Sequence, residues 1–210
     1  MQIEYFYSAH SAFAYIGSEA FMRIAAKAGA EIVHRPMDLR KVIAAAKGAA
    51  FTRYSDAHMA YFFGVEIDRW ADFRDAPVMG HHPTHHANDL TLSNCLLIAA
   101  AEAGEAVDRL AHTILEAHWR DDADFDDEET LARLCESVGL ASKPLLEQAR
   151  SSDVQAIYDQ NTEEAIERSV FGAPTYFVGG EMFYGQDRLE FVERALALSL
   201  IHISEPTRPY

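Results

Sequence analysis

The chain has 210 residues, 49% of them hydrophobic and 24% charged, which is ample apolar material for a core in one generous domain or two small ones. A formal net charge of −15 argues against nucleic acid or an anionic membrane as partner, since either requires a positive patch. No run approaches the roughly 18 apolar residues of a membrane span, no basic-then-apolar leader opens the chain, and Cys95 and Cys135 lie far apart without a CxxC, so buried thiols and a cytoplasmic location are expected.

Taken in chain order, Ile3 to Tyr7 alternates and is aromatic-rich, as a strand should be. Phe13, Ile16, Phe21, Ile24, Ala25 and Ala28 then fall at helical spacing over 12–28, and Gly29 closes that helix. A second short strand at 31–36 completes a βαβ unit with parallel strands. From about 40 to 168 the pattern is helical, with segments at 39–47, 54–73, 90–103, 106–119, 127–137, 143–150 and 153–169. The acidic run from Asp121 to Glu129 reads as a solvated loop leading into a helix whose first turn favours carboxylates.

Strand character returns at 175–178, Gly179-Gly180 supplies a two-residue hairpin turn, and 181–184 forms the returning strand. A final helix begins near Asp187, with Leu189, Val192, Ala195 and Leu196 on one face. The outline is an α/β, thioredoxin-like plan: βαβ and ββα halves, residues 1–38 and 170–198, around an all-helical insertion at 39–169. Residues 199–210 resemble a translated sequencing adaptor and are expected to be a non-native tail.

Three points carry chemistry. Ser11 lies where a strand gives way to a helix, so its hydroxyl and free backbone N–H groups share the positive end of a helix dipole. It is either a plain N-cap or a donor to a bound thiolate. At Gly172-Ala173-Pro174-Thr175 the proline is either an ordinary strand-edge residue or cis, with the preceding backbone open to an extended ligand. Asp187 has Glu190 three residues on, as in a capping box, while Gln186 and Asp187 could equally hold an amino-acid head group.

The run from Ser169 to Tyr176 and the run from Gly180 to Leu189 resemble the C-terminal signature of the 2-hydroxychromene-2-carboxylate isomerases, DsbA-like relatives of the kappa-class glutathione transferases. Phe6-Tyr7-Ser8-Ala9-His10-Ser11 with Tyr15-Ile16-Gly17 is similar to their first strand and catalytic serine, and the likeness extends over residues 2 to about 197. The resemblance implies glutathione as cofactor and Ser11 as the catalytic residue that holds its sulfur as thiolate. It further implies a cis Pro174, pairing of the tripeptide with Ala173, and a grip on the γ-glutamyl end by Gln186 and Asp187. The implied reaction opens the chromene ring of a small aromatic substrate; glutathione adds to the unsaturated carbon, a bond rotates, and the sulfur leaves again. A homodimer is also implied.

This chain departs from the family where Ser-Pro-Tyr-Ser becomes Ser11-Ala12-Phe13-Ala14, which should loosen the serine's backbone. A lysine that often contributes from the insertion has no match; Arg53 and His58 are the nearest substitutes. His81-His82-Pro83-Thr84-His85-His86 does not read as a metal site, because Pro83 interrupts it and no acidic or cysteine partner follows at ligand spacing. These histidines are either surface residues or acid–base helpers lining the site, with His85 and Asn88 the choices for the acceptor pocket. Trp70 and Trp119 read as helix-packing residues. The expected function is a glutathione-dependent isomerase. A kappa-like transferase releasing the thioether, and a non-catalytic glutathione-binding protein, are the alternatives.

Overall fold

The computed structural model describes residues 1–47 and 55–204, with side chains followed through residue 46 and from 55 to 198. A four-stranded mixed sheet organises the chain, in the order β2-β1-β3-β4. Strand β1 (Gln2–Tyr7) pairs in parallel with β2 (Glu31–Pro36), placing Tyr5 opposite His34. Helix α1 (Ala12–Ala28) supplies the crossover that a parallel pair requires. On the other side of β1 runs antiparallel β3 (Thr175–Val178), then β4 (Glu181–Tyr184). Gly179 and Gly180 turn between these two strands at φ 58° and 87°, a pair of positive values that side-chain-bearing residues resist.

Between the two halves lie α2 (Leu39–Lys47), α3 (Asp56–Ala60), α4 (Glu66–Arg74), α5 (Thr91–Glu102), α6 (Val107–Asp121), α7 (Glu128–Ser137), α8 (Ser142–Ala149) and α9 (Ser152–Glu167). One departure from the expected pattern matters for the site. The single helix expected over 54–73 is divided by a wide π turn at Tyr61–Val65, between α3 and α4. Such a turn shifts the helical phase by about one residue, and Phe62 within it packs on Phe13 of α1, ring centroids 5.0 Å apart.

Aromatic residues of the central strands form the core of one sheet face. Tyr5 lies between Tyr7 and Tyr176, with centroids at 4.2 and 5.4 Å, and Phe21 of α1 closes over it at 4.9 Å. Burying a ring such as Phe21 stabilises the fold by about 1.5–3 kcal/mol. The same apolar cluster continues through Leu96, Leu97 and Ile114 of the inserted helices. A smaller cluster around Phe6, Met37, Val42 and Phe177 fills the opposite face.

A one-turn 3-10 helix (Gln186–Arg188) follows β4 and leads into α10 (Leu189–Ser204). The capping box expected from Asp187 and Glu190 does not form: no side chain caps that turn, and the Asp187 carboxylate pairs with Arg188 beside it. Helix α10 continues into the stretch set apart as a tail, whereas 205–210 lie outside the described residues. No helix among the described residues is long and apolar enough to cross a membrane.

Candidate active site

The loop joining β1 to α1 is held at every residue. The Ala9 N–H donates to Asn94 Oδ1 at 3.0 Å, the indole N–H of Trp119 donates to the His10 carbonyl at 2.9 Å, and the Ser11 N–H donates to the Ser8 carbonyl at 3.0 Å. Ser11 has extended backbone angles (φ −74°, ψ 118°) and caps α1, its Oγ accepting the Ala14 N–H at 3.2 Å. The same hydroxyl donates to the Ala173 carbonyl at 3.4 Å, across a distance of 162 residues in sequence. The Ala173–Pro174 bond is cis. The Pro174 carbonyl accepts the Gly185 N–H at 2.9 Å, tying the start of β3 to the turn after β4.

Two cavities adjoin there and share one wall of Phe13, Phe62, Ala173 and Tyr184. The smaller, about 160 Å³, is closed by Glu66, Trp70, Gln186, Asp187 and Arg188. Gln186 is buried, and Arg74 holds it twice, donating from Nε to Oε1 and from Nη2 to the backbone carbonyl, both at 3.1 Å. Helix α1 runs so close that a Cβ on Gly17 would stand 2.6 Å from the Gln186 Cβ, so only glycine permits this packing. Trp70 therefore lines a cavity, contrary to its reading as a packing residue alone.

The larger cavity, about 270 Å³, contains Ser11 itself together with His10, Arg40, His86 and Trp119, and Phe63 and Phe171 make it strongly apolar. Trp119 both packs and lines it, its indole pinning the loop as described. Arg40 donates to the backbone carbonyls of His86 (2.8 Å) and Asn88 (3.2 Å), which fixes the histidine loop against α2. Burial is the main cause that holds His10 well below the ordinary histidine range, His86 at about 3, and His118 below its usual value. All three are therefore neutral near pH 7. The sulfur chemistry of the chain is equally suppressed: burial pushes the Cys95 thiol up to about 12 and that of Cys135 to about 11.

Of the residues singled out from sequence, Ser11, Ala173, Pro174, Gln186 and Asp187 come together around the two cavities and the turn between them. His85 and Asn88 do not line the acceptor cavity. Both face Asp124, His85 through Nδ1 at 3.2 Å and Asn88 through Nδ2 at 2.9 Å, and so brace the loop; its next residue, His86, is the one that reaches the cavity. His58 is exposed near the start of α3, edge-on to Phe62 at 6.0 Å, and lines neither cavity. Arg53 falls outside the described residues. Sequence reasoning passed over His10, Arg40 and Arg74. Only His10 carried a signal, its place one residue before Ser11. Among the described residues no group of three or more histidines, cysteines or carboxylates is placed to hold a metal ion.

Comparison with known proteins agrees with this architecture. The chain is similar to 2-hydroxychromene-2-carboxylate isomerases from Pseudomonas putida (28% identity, covering 93% of this chain and 94% of that protein) and Sphingobium xenophagum (28%, covering 92% and 97%). A solved structure of 2-hydroxychromene-2-carboxylate isomerase superposes with a TM-score of 0.80 at 23% identity, over 99% of this chain and all of that one. The disulfide reductase DsbM from Pseudomonas aeruginosa, solved with GSH, superposes at 0.68 with 13% identity over 98% of this chain and 100% of that one, a likeness of fold alone. The family model of the DSBA-like thioredoxin domain matches residues 2–197, so the chain belongs to that family.

Proposed function

We propose that this protein is a glutathione-dependent isomerase acting on a 2-hydroxychromene-2-carboxylate or a closely related aromatic acid. One observation carries the reading: the Ser11 hydroxyl caps α1 at the larger cavity, two residues before Phe13 in the wall shared with the smaller. The names of its curated relatives support the isomerase class.

The residues suit glutathione. Ser11 is a hydrogen-bond donor at a helix N-terminus whose proton can turn from its long 3.4 Å bond to the Ala173 carbonyl toward a bound thiolate, and neither cysteine of the chain occupies that place. Gln186, fixed by Arg74, and the exposed carboxylate of Asp187 offer a polar end to the smaller cavity, suited to an α-amino acid group. Ala173 lies in both cavities, where its backbone can pair with an extended peptide. Glutathione, when bound, supplies a sulfur nucleophile that adds to the unsaturated carbon and is regenerated. Phe63, Phe171 and Trp119 offer ring faces to an aromatic acceptor in the larger cavity, and Arg40, which also lines it, brings a positive charge to the acceptor's carboxylate.

Mixing the protein with glutathione and the chromene acid should change the ultraviolet spectrum catalytically while free thiol stays constant. Consumption of thiol in step with product would assign a transferase instead. Binding of glutathione without turnover would reduce the protein to a binding module.

A further inference from the structure

The histidines around the larger cavity have hydrogen-bond polarities that the surrounding structure dictates. His118 Nδ1 lies 3.1 Å from the Ala123 carbonyl, which can only accept, so Nδ1 carries the proton and Nε2 is a bare acceptor in the neutral ring. His86 Nδ1 is 3.1 Å from that Nε2 and must donate to it, which leaves a lone pair on His86 Nε2. His10 is set the opposite way. Asn94 Oδ1 accepts the Ala9 N–H, so its Nδ2 is the donor toward Ser8 Oγ at 3.3 Å. The fully buried Ser8 hydroxyl needs an acceptor for its own proton and finds it in His10 Nδ1 at 3.0 Å. His10 therefore carries its proton on Nε2.

The two rings stand 4.7 Å apart, both line the cavity that holds Ser11, and neither Nε2 has a partner among the described residues. We propose that His10 and His86 are a donor–acceptor pair that opens the hemiketal ring of the chromene acid, a step that needs no thiol. The inference rests on the reading that this cavity receives that acid. The hemiketal O–H gives its proton to His86 Nε2, and its oxygen becomes the ketone. The bond from that carbon to the ring oxygen breaks, with the electron pair going to the oxygen. The resulting phenolate is held by the His10 Nε2–H and recovers the proton from His86. The two rings end as they began.

The titratable and charged groups facing the pair are His82, His118 and Arg40, with Asp122 and His85 acting on His118. The cations and histidines among them oppose protonation of the pair, in the same direction as its burial. The same opposition makes neutral His86 a weak base, so it takes the hemiketal proton only as the carbon–oxygen bond breaks, and its conjugate acid then gives that proton up readily to the phenolate.

Nitrogen-15 NMR of the histidine rings in the whole protein tests the assignment without glutathione. The expected spectrum at pH 8 has His86 and His118 protonated on Nδ1 and His10 on Nε2, the His86 signals stay unchanged down to pH 5, and adding the chromene acid shifts the free Nε2 signals of His10 and His86. Exchange NMR should show the protein accelerating ring opening in the absence of glutathione. His86→Leu should lose about a hundredfold or more of that acceleration, and His86→Gln, which keeps an acceptor, should recover part of it. A His86 proton on Nε2, an ordinary titration near pH 6.5, or ring opening no faster than in buffer overturns the pair. The thiolate absorbance of added glutathione is read separately: its absence defeats the proposed function and leaves the pair standing, and its presence beside unaccelerated ring opening does the reverse.

Discussion

Replacing Ser11 by alanine separates the two roles of one hydroxyl. As a cap, Oγ accepts the Ala14 N–H at 3.2 Å, and losing it should cost about 1 kcal/mol of stability. In a domain of this size that lowers Tm by about 2–4 °C. As a donor to a thiolate, the same group makes a hydrogen bond to a charged partner worth about 1.5–3 kcal/mol. At 1.36 kcal/mol per unit, its loss raises the thiol pKa of bound glutathione by about one to two units. The helix N-terminus is retained in the variant and keeps its own contribution of about 0.3–1 kcal/mol. Titrating the ultraviolet absorbance of the bound thiolate against pH measures the shift directly. The variant's midpoint should rise, with about tenfold or more of the thiolate lost at neutral pH, and Ser11→Thr should remain near the parent. Coincident curves for parent and alanine variant would show that the hydroxyl is a cap and nothing else.

Arg74→Met removes both hydrogen bonds that hold Gln186, and calorimetry should show glutathione binding weakened about tenfold, about 1.4 kcal/mol; an unchanged Kd would detach Gln186 from the cofactor. Gly17→Ala places a methyl 2.6 Å from the Gln186 Cβ and should destabilise the fold by about 1–3 kcal/mol in urea denaturation, where an unobstructed helix would gain about 1 kcal/mol; a gain would refute the close packing. Burial holds His10, His86 and His118 below the ordinary histidine pKa, so the unfolded chain takes up protons below about pH 6.5 that the native state refuses. Stability is then full above that pH and falls below it by up to about 1.4 kcal/mol per pH unit for each histidine. His86→Phe should flatten the loss between pH 7 and 5, and an identical pH dependence in parent and variant would contradict the buried neutral ring.

The elements with strong local signals were legible. Alternation located the first strand, short strand-like runs located the other three, the Gly179-Gly180 pair located the hairpin, and apolar spacing located the inserted helices other than the one over 54–73 to within a residue or two. The π turn at Tyr61–Val65 was not legible, because one extra residue in a helix leaves no gap in a 3.6-residue pattern read over a short window. At the site, residues adjacent to a chain break in periodicity could be read: Ser11 before a helix, Ala173 and Pro174 before a strand, Gln186 after one. The histidine loop could not. Its six residues from His81 to His86 have no period, and the choice of His86 over His85 is made by tertiary packing on His118 and Trp119. Arg40 and Arg74 lie on short helices where an arginine ordinarily faces water, and only the fold brings them to the cavities.

The departures at residues 12–14 take their meaning from that packing. The loop before α1, which carries no proline, is fixed from outside, by Asn94, Trp119 and the Ser8 carbonyl, so its rigidity is supplied by tertiary hydrogen bonds. Phe13 forms with Phe62 part of the partition between the two cavities. The chain's charge of −15 opposes an acidic cofactor and an acidic substrate alike. Exposed charges, however, act over about 8 Å at physiological salt. In its own cavity a ligand at Ser11 meets the positive end of α1, neutral histidines and the Arg40 guanidinium, whose hydrogen bonds go to carbonyls. Under the proposed function the anions are therefore held by local charge, against the sign of the molecule as a whole.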